Sequence, residues 1–152
     1  MKRFWLVPIL SVLAALSSGP IAEAQKPRVI EIAVGDTMKY SVETIQAKPG
    51  ESLTVRLKST GTVPKIAMGH NFILLKPGTA ALEFVNAGME HRDNDFVDPQ
   101  MKDKIIASTK LIGPGETAET TFKAPMKRDT YAYLCSFPGH FAQGMKGTLT
   151  VK

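Results

Sequence analysis

Apolar and polar residues alternate along most of the chain after the first 25 residues, a pattern typical of half-buried β-strands. The clearest case is residues 53–58, where Leu53, Val55 and Leu57 alternate with polar neighbours. Turn signals rich in glycine and proline separate the alternating stretches, for example at residues 48–51 and 113–115. The pattern predicts strands at 29–32, 38–43, 53–58, 72–75, 104–108, 117–122, 130–135 and 146–151.

The middle of the chain breaks this alternation. Residues 79–85 supply apolar surface for a short helix, and residues 90–103 are polar and acidic, as in a loop. Many short strands with tight turns between them favour a sandwich or a barrel. We therefore expect an all-β, Greek-key β-sandwich with one short helical/loop insertion around residues 79–103, although periodicity alone does not determine the strand order.

The first 24 residues have the features of a secretory signal peptide. Lys2 and Arg3 precede an apolar run over residues 4–16, and Ala22-Glu23-Ala24 matches the small-x-small cleavage pattern. We predict cleavage after Ala24 and a single mature domain over residues 25–152, exported to a bacterial periplasm. An uncleaved N-terminal anchor is the alternative.

The distribution of charge argues against a nucleic-acid partner. The full chain has 19 Lys and Arg residues against 14 Asp and Glu residues, and without the predicted signal peptide these counts become 17 and 13. The charges are interspersed, whereas a nucleic-acid-binding protein would show a clustered basic patch with aromatic residues between the charges. The mild positive balance fits solubility and some steering toward an acidic partner.

Cys135 is the single cysteine of the chain. An exported protein with one cysteine forms no internal disulfide, and its thiol is open to oxidation unless it is buried, paired between chains or bound to a metal. Cys135 is therefore the residue that most needs a chemical explanation.

The segment CSFPGHFAQGM, residues 135–145, brings together donors typical of a metal site. It contains Cys135, His140 and Met145 at a spacing of five residues, and its proline and glycines favour a loop between two strands. A further histidine, His70, lies far upstream beside Gly69. A thiolate and two imidazoles with a weak axial thioether form a blue-copper electron-transfer site.

Four motifs give the chain a close resemblance to azurin, a small blue copper protein of the cupredoxin family. They are MGHN at 68–71, TKLIG at 109–113, CSFPGH at 135–140 and MKGTLT at 145–150. The resemblance implies one type 1 copper ion with His70, Cys135 and His140 as equatorial ligands, Met145 as the long axial ligand and the Gly69 carbonyl as a second weak axial contact. It also implies that Asn71 braces the loop that carries Cys135, and that a backbone amide donates to its sulfur.

The chain departs from azurins in several places. It lacks the cysteines for the disulfide that azurins carry near their N-terminus, and the segment from His140 to Met145 is one residue longer, as in auracyanins. Phe72 stands where azurins often have tryptophan, and Ser108 stands where well-known azurins have a second, non-ligand histidine. These differences leave the subfamily open.

The remaining histidine, His91, lies in a polar stretch and is interpreted as a solvated loop residue. A calcium loop built from Asp93, Asp95 and Asp98 is the alternative there. It lacks the spacing, the glycine and the terminal glutamate of an EF-hand.

Together these features predict a periplasmic one-electron carrier, not an enzyme, that cycles between Cu(II) and Cu(I). We expect a monomer without stable membrane insertion, whose partners are redox proteins such as a c-type cytochrome or a periplasmic oxidoreductase. The resemblance to azurin implies that they dock at an apolar patch around His140, formed by Met38, Met68, Pro138, Gly139 and Phe141. The alternative is that Met38 and Met68 are plain core residues.

Three other functions remain as alternatives. One is a periplasmic copper-binding or carrier protein without an electron-transfer role, and another is a structural secreted β domain. The third is a copper enzyme. It would need further histidine clusters such as His-Cys-His, whereas Leu134 and Ser136 flank Cys135 and the chain has 3 histidines.

Overall fold

The computed structural model describes residues 26–152, which fold into eight strands and short helical segments. The predicted signal peptide over residues 1–24 lies outside the described residues, and so does its cleavage site. The strands are β1 (Arg28–Val34), β2 (Thr44–Ala47), β3 (Ser52–Ser59), β4 (Ile73–Leu75), β5 (Ile105–Ser108), β6 (Thr117–Lys123), β7 (Thr130–Leu134) and β8 (Lys146–Val151).

Two sheets face each other across one core. The first has the order β1-β3-β6, and the second has the order β2-β8-β7-β4-β5. The pairs β1–β3 and β2–β8 are parallel, whereas the other pairs are antiparallel. Successive strands from β1 to β4, and again from β5 to β7, lie in different sheets, so the chain crosses repeatedly between the two layers. The predicted β-sandwich is confirmed.

The alternating pattern determines which side chains fill the core. In β3, Leu53, Val55 and Leu57 are fully buried, and their counterparts on the facing sheet include Leu149 and Val151. Burying an aliphatic side chain of this size stabilises the fold by about 1.5–3 kcal/mol. Most residues of this core are aliphatic or aromatic and carry no metal donor.

The predicted insertion is a helical layer outside the second sheet. Helix α2 (Ala81–Gly88) lies within this insertion after β4, whereas the short helix α1 (Lys65–Met68) precedes β4 and lies outside the insertion. In α2, Phe84 and Val85 pack on the outer face of the sheet. Two 3₁₀ helices, Arg92–Asn94 and Pro99–Lys104, occupy the stretch predicted as a loop. The second one forms there because Asp98 accepts a hydrogen bond from the Gln100 amide at 2.9 Å and Pro99 starts the turn.

The predicted strand at 38–43 is wrong. Met38 has φ +54° and closes a turn in which its amide donates to the Gly35 carbonyl at 3.0 Å. The segment from Met38 onward crosses toward the other sheet, and the strand that was missed, β2, begins at Thr44. Alternation is present in both segments, but only β2 forms a continuous ladder with a neighbouring strand, β8. Residues 38–43 make isolated backbone hydrogen bonds instead, such as the one from the Ser41 amide to the Ala33 carbonyl.

Strand register determines where the candidate site lies. Ile73 at the start of β4 pairs with Leu134 at the end of β7, so the residues before β4 meet the residues after β7. Leu134 also pairs with Lys146 at the start of β8. His70, Cys135 and Met145 are therefore brought to one end of the sandwich by ordinary antiparallel pairing.

Candidate metal centre

The loop at residues 135–145 closes tightly on itself. The Cys135 amide donates to the Met145 carbonyl at 3.2 Å, and the Met145 amide donates to the His140 carbonyl at 3.0 Å. Gly144 has φ +88°, a conformation in which glycine carries no steric penalty. The loop thus brings together a thiol, an imidazole and a thioether, whose residues Cys135, His140 and Met145 are all buried.

The fourth donor side chain, His70, comes from the residues between α1 and β4. Its amide donates to the Ile112 carbonyl at 2.9 Å, and the Ile112 amide donates back to the His70 carbonyl at 2.8 Å. This isolated antiparallel bridge holds the backbone of His70 while its ring points inward. Glycine suits position 69, because a Cβ there would lie 2.6 Å from a methyl carbon of Leu111 and 2.9 Å from the backbone oxygen of Lys65.

The donor atoms of three side chains converge. The ligand atoms of His70, Cys135 and His140 all lie within 4.8 Å of one another. The Cys135 Sγ is 3.5 Å from the His140 Nδ1, and the two imidazole rings have centroids 4.9 Å apart. Met145 is fully buried in the same core cluster as Cys135. The structure therefore brings the donor side chains named from sequence to the same end of the fold.

Burial controls the protonation of these groups. It raises the pKa of the Cys135 thiol to about 11, against hydrogen bonds from the Asn71 and Phe137 amides, which lower it. Burial also lowers the pKa of His140 to about 4, helped by the neighbouring His70, and burial lowers the pKa of His70. At neutral pH both imidazoles are neutral and offer lone pairs, whereas the thiolate needs a bound cation to form.

The donor set fits a copper ion. Both ring nitrogens of His70 are buried without a hydrogen-bond partner among the described residues, a costly state for polar atoms. A buried thiol beside two neutral imidazoles and a thioether is the combination of soft and borderline ligands that copper prefers. Coordination would satisfy one of these two nitrogens and stabilise the thiolate at the same time.

The predicted role of Asn71 matches the contacts it makes. Asn71 Oδ1 accepts from the Ser136 amide at 3.0 Å, and its Nδ2 donates to the Ser136 Oγ at 2.8 Å. The Asn71 and Phe137 amides lower the pKa of the Cys135 thiol, which fits the amide contact to the sulfur that the resemblance implies. The Gly69 carbonyl oxygen is 4.0 Å from the same sulfur.

Sequence reasoning did not single out one acceptor in this network, the backbone carbonyl of Asp95. It accepts from Asn71 Nδ2 at 3.1 Å and from Ser136 Oγ at 2.9 Å. Asp95 and Phe96 both have left-handed backbone angles, φ +55° and +58°. A backbone acceptor leaves no residue-type signal in a sequence, so only the folded chain reveals that the insertion supports the loop after β7.

Aromatic rings cover the site. The Phe137 ring packs against His140 with centroids 4.6 Å apart and a tilt of 37°, and Phe96 packs edge-on against Phe137 at 5.1 Å. His140 itself is only 2% exposed. Of the residues predicted to form a docking patch, Gly139 is exposed, and the others are half-buried: Met38, Met68, Pro138 and Phe141.

The acidic stretch does not form a metal site. Within residues 26–152, the group of side chains that could hold a metal is His70, Cys135 and His140, and it does not include Asp93, Asp95 or Asp98. His91 is half-buried, with its Nε2 3.7 Å from an oxygen of Asp98. Over the same residues no helix has the length and apolar character to cross a membrane.

Comparisons with known proteins agree with this geometry. Residues 28–152 match the family described as copper binding proteins, plastocyanin/azurin family. Azurin iso-2 of Methylomonas sp. (strain J) is 41% identical over 127 residues, covering 80% of this chain and 95% of that protein. Azurin of Achromobacter denitrificans is 38% identical over 146 residues, covering 92% and 93%.

Solved structures show the same likeness. The blue copper protein auracyanin A of Chloroflexus aurantiacus superposes with a TM-score of 0.74 at 33% identity, covering 84% of this chain and all of that one (100%). The azurin Az-iso2 of Methylomonas sp. strain J superposes with a TM-score of 0.71 at 36% identity, covering 82% and 98%. The chain, whose cofactor is copper, therefore belongs to the plastocyanin/azurin family of copper-binding proteins, as an azurin-like cupredoxin.

Proposed function

We propose that this protein is a periplasmic one-electron carrier with a mononuclear type 1 copper site, and that it is not an enzyme. The observation that carries the proposal is the buried convergence of His70, Cys135 and His140 within 4.8 Å. In the proposed site these three residues are the equatorial ligands, Met145 is the long axial ligand and the Gly69 carbonyl is a second weak axial contact. Bound copper would supply the chemistry by taking up and releasing one electron between Cu(II) and Cu(I).

The protein contributes a rigid, dry environment around the donors. Cys135 and Met145 are fully buried, and the 135–145 loop is closed by hydrogen bonds at both ends. Ligands held in this way move little when an electron enters or leaves, so the barrier to transfer stays low. The same burial favours retention of copper over its prompt release, which supports an electron carrier over a copper store or chaperone.

The proposed route for the electron runs through His140 to the surface above it. The Phe137 ring lies against this ring, and Pro138 and Phe141 are half-buried near His140 in the sequence. Met38 and Met68 are also half-buried. A small apolar surface suits a brief redox contact, because transient complexes of this kind bury little area. The proposed partners are redox proteins such as a c-type cytochrome or a periplasmic oxidoreductase, met by a monomer.

Export is part of the proposal. The signal peptide over residues 1–24 would be removed after Ala24, and the mature domain would begin at Gln25. The mass of the protein purified from a periplasmic extract tests this step, and a chain that retains residues 1–24 would overturn it.

The site is tested by visible absorption of the purified mature protein, before and after addition of Cu(II) and then after a mild reductant. We expect an intense band in the red that bleaches on reduction and returns on oxidation, because thiolate-to-copper charge transfer needs Cu(II). Stoichiometric copper without such a band would mean that Cys135 is not a ligand. The electron-carrier proposal would then be abandoned.

A further inference from the structure

Two neighbouring residues of the segment before β2 reach different parts of the metal centre. The Lys39 Nζ donates to the Gln143 carbonyl at 2.6 Å, across 104 positions of the sequence. The Tyr40 hydroxyl donates to the Asn71 carbonyl at 2.6 Å. We propose that Lys39 and Tyr40 are positioning residues for the copper site, an inference that rests on the proposed function: Tyr40 holds the backbone beside His70, and Lys39 holds the loop between His140 and Met145.

The Tyr40 contact is fully enclosed. Tyr40 is 3% exposed, its ring packs edge-on against Tyr133 at 5.3 Å, and Asn71 is 0% exposed. Water therefore has little access to replace the hydroxyl as a donor to the Asn71 carbonyl, and an unpaired buried carbonyl is costly. Burial raises the pKa of Tyr40 well above its usual value, so the hydroxyl keeps the proton that it donates.

The position of the accepting carbonyl gives this hydrogen bond its importance. Asn71 follows His70 in the chain, and its side chain binds the residue after Cys135. A shift of the Asn71 backbone would therefore be passed to two of the proposed ligands at once. Tyr40 is the side chain that restrains that backbone from the core side.

The Lys39 contact restrains the other half of the site. The Gln143 amide donates to the Gly139 carbonyl at 3.1 Å, and the Gly144 amide donates to the Phe141 carbonyl at 2.9 Å, so the loop turns sharply here. The ammonium group lies directly over the turn, since a Cβ on Gly144 would be 2.6 Å from the Lys39 Nζ. A charged donor makes a shorter and stronger hydrogen bond to a carbonyl than a neutral donor does.

Both contacts start from a segment that is itself fixed to β1. The Ser41 amide donates to the Ala33 carbonyl at 3.0 Å, and the Ser41 hydroxyl accepts from the Ala33 amide at 2.8 Å. The backbone beside His70 and the His140–Met145 loop are distant in sequence, yet each accepts a hydrogen bond from Lys39 or Tyr40 in this segment. Their relative position then depends on adjacent side chains, which limits how far the proposed ligands move apart.

The test compares Lys39→Met and Tyr40→Phe with matched controls in the full chain. Lys110→Met removes one charge from another exposed lysine of the described chain, and Tyr131→Phe removes a buried hydroxyl that donates to the Lys127 carbonyl at 2.8 Å. Three quantities are measured: amide hydrogen exchange with and without copper, the rate of copper loss to a chelator, and the reduction potential.

We expect each variant to loosen its own half of the site. In Lys39→Met the amides of Gln143, Gly144 and Met145 should exchange about threefold faster, and in Tyr40→Phe the Ser136 amide should exchange about tenfold faster. Copper loss should accelerate by similar factors, and the reduction potential should shift in both variants. The two controls should leave all three quantities unchanged, and Lys39→Arg should restore the wild-type values.

The inference is overturned if the amides near the site keep their wild-type exchange rates in both variants, or if the control variants produce the same changes. Should Tyr40→Phe fold poorly, Lys39→Met still tests the inference, because Lys39 is exposed and its replacement leaves the core unchanged. Amide exchange measured in the metal-free protein tests the positioning role of Lys39 and Tyr40 independently of the proposed electron-carrier function. A wild-type protein that binds copper without colour would refute the proposed function, whereas unchanged exchange would refute the positioning role.

Discussion

Asn71 and Ser136, 65 positions apart in the sequence, are joined by two buried hydrogen bonds. The Ser136 amide donates to Asn71 Oδ1 at 3.0 Å, and Asn71 Nδ2 donates to Ser136 Oγ at 2.8 Å. Each of these residues directly follows a proposed ligand, His70 or Cys135. The pair therefore links the two segments that must meet to form the metal site.

Replacement of Asn71 by alanine should destabilise the protein by about 3 kcal/mol, because it leaves the buried Ser136 amide without its acceptor and opens a small cavity. The free energy of unfolding from urea titration measures the effect. The exposed helical residue Asn86 supplies the control, since Asn86→Ala should change stability by less than about 0.5 kcal/mol. Equal effects at both positions would contradict the bridging role of Asn71.

Replacement of Cys135 by serine should abolish the red absorption band completely, because the thiolate is the source of the charge transfer. Visible absorption and copper content measure the change, and far-ultraviolet circular dichroism checks that the β-sandwich is retained. An intense red band in a folded Cys135→Ser protein would show that another group supplies the colour.

Replacement of Met145 by leucine should keep the red band and raise the reduction potential, because a weak donor that favours Cu(II) is lost. The rise should be about 60 mV for every tenfold loss in the affinity for Cu(II) relative to Cu(I). Cyclic voltammetry of the two proteins measures it. A colourless Met145→Leu protein with full copper content would rule out the axial assignment.

A charged residue in place of Met68 should slow electron exchange while leaving the visible spectrum unchanged, because Met68 belongs to the proposed docking patch and not to the ligands. Stopped-flow kinetics with a c-type cytochrome measure the exchange rate, and about a tenfold decrease is expected from the cost of burying a charge at a transient contact.

The matched control for Met68→Lys is Met126→Lys. Met126 is 76% exposed and lies beside the turn at Gly50. It precedes the start of β7, whereas Cys135 follows the end of that strand. Met126→Lys should leave the exchange rate unchanged. Equal slowing in both variants would indicate a general charge effect and refute the patch.

Removal of copper should lower the stability of the protein without unfolding it. The aliphatic core of Leu53, Val55 and Leu57 with Leu149 and Val151 does not depend on the metal, whereas a ligand that binds only the native state adds to its stability. The difference should be about 4 kcal/mol when free copper exceeds its Kd about a thousandfold. Thermal unfolding by circular dichroism measures it, and a metal-free protein without sheet signal would contradict the prediction.

The strands predicted from alternation were mostly found near their expected positions, because one face of each is buried in the core. The prediction at 38–43 was wrong for a physical reason. Alternation reports which side chains face the core, but a strand also needs a neighbouring backbone, and only the segment beginning at Thr44 pairs with β8. The short helix α1 carries no buried residue, so it left no periodic signal.

The sequence by itself determined the chemistry of the site. Cys135, His140 and Met145 are close in the chain, and their residue types and spacing are by themselves typical of copper donors. Only the tertiary structure decided how these donors are enclosed. The pairing of Ile73 with Leu134 brings His70 to Cys135, and the contacts of Lys39, Tyr40 and the Asp95 carbonyl arise between segments far apart in the chain. Such contacts depend on strand order and on backbone acceptors, and local residue patterns predict neither.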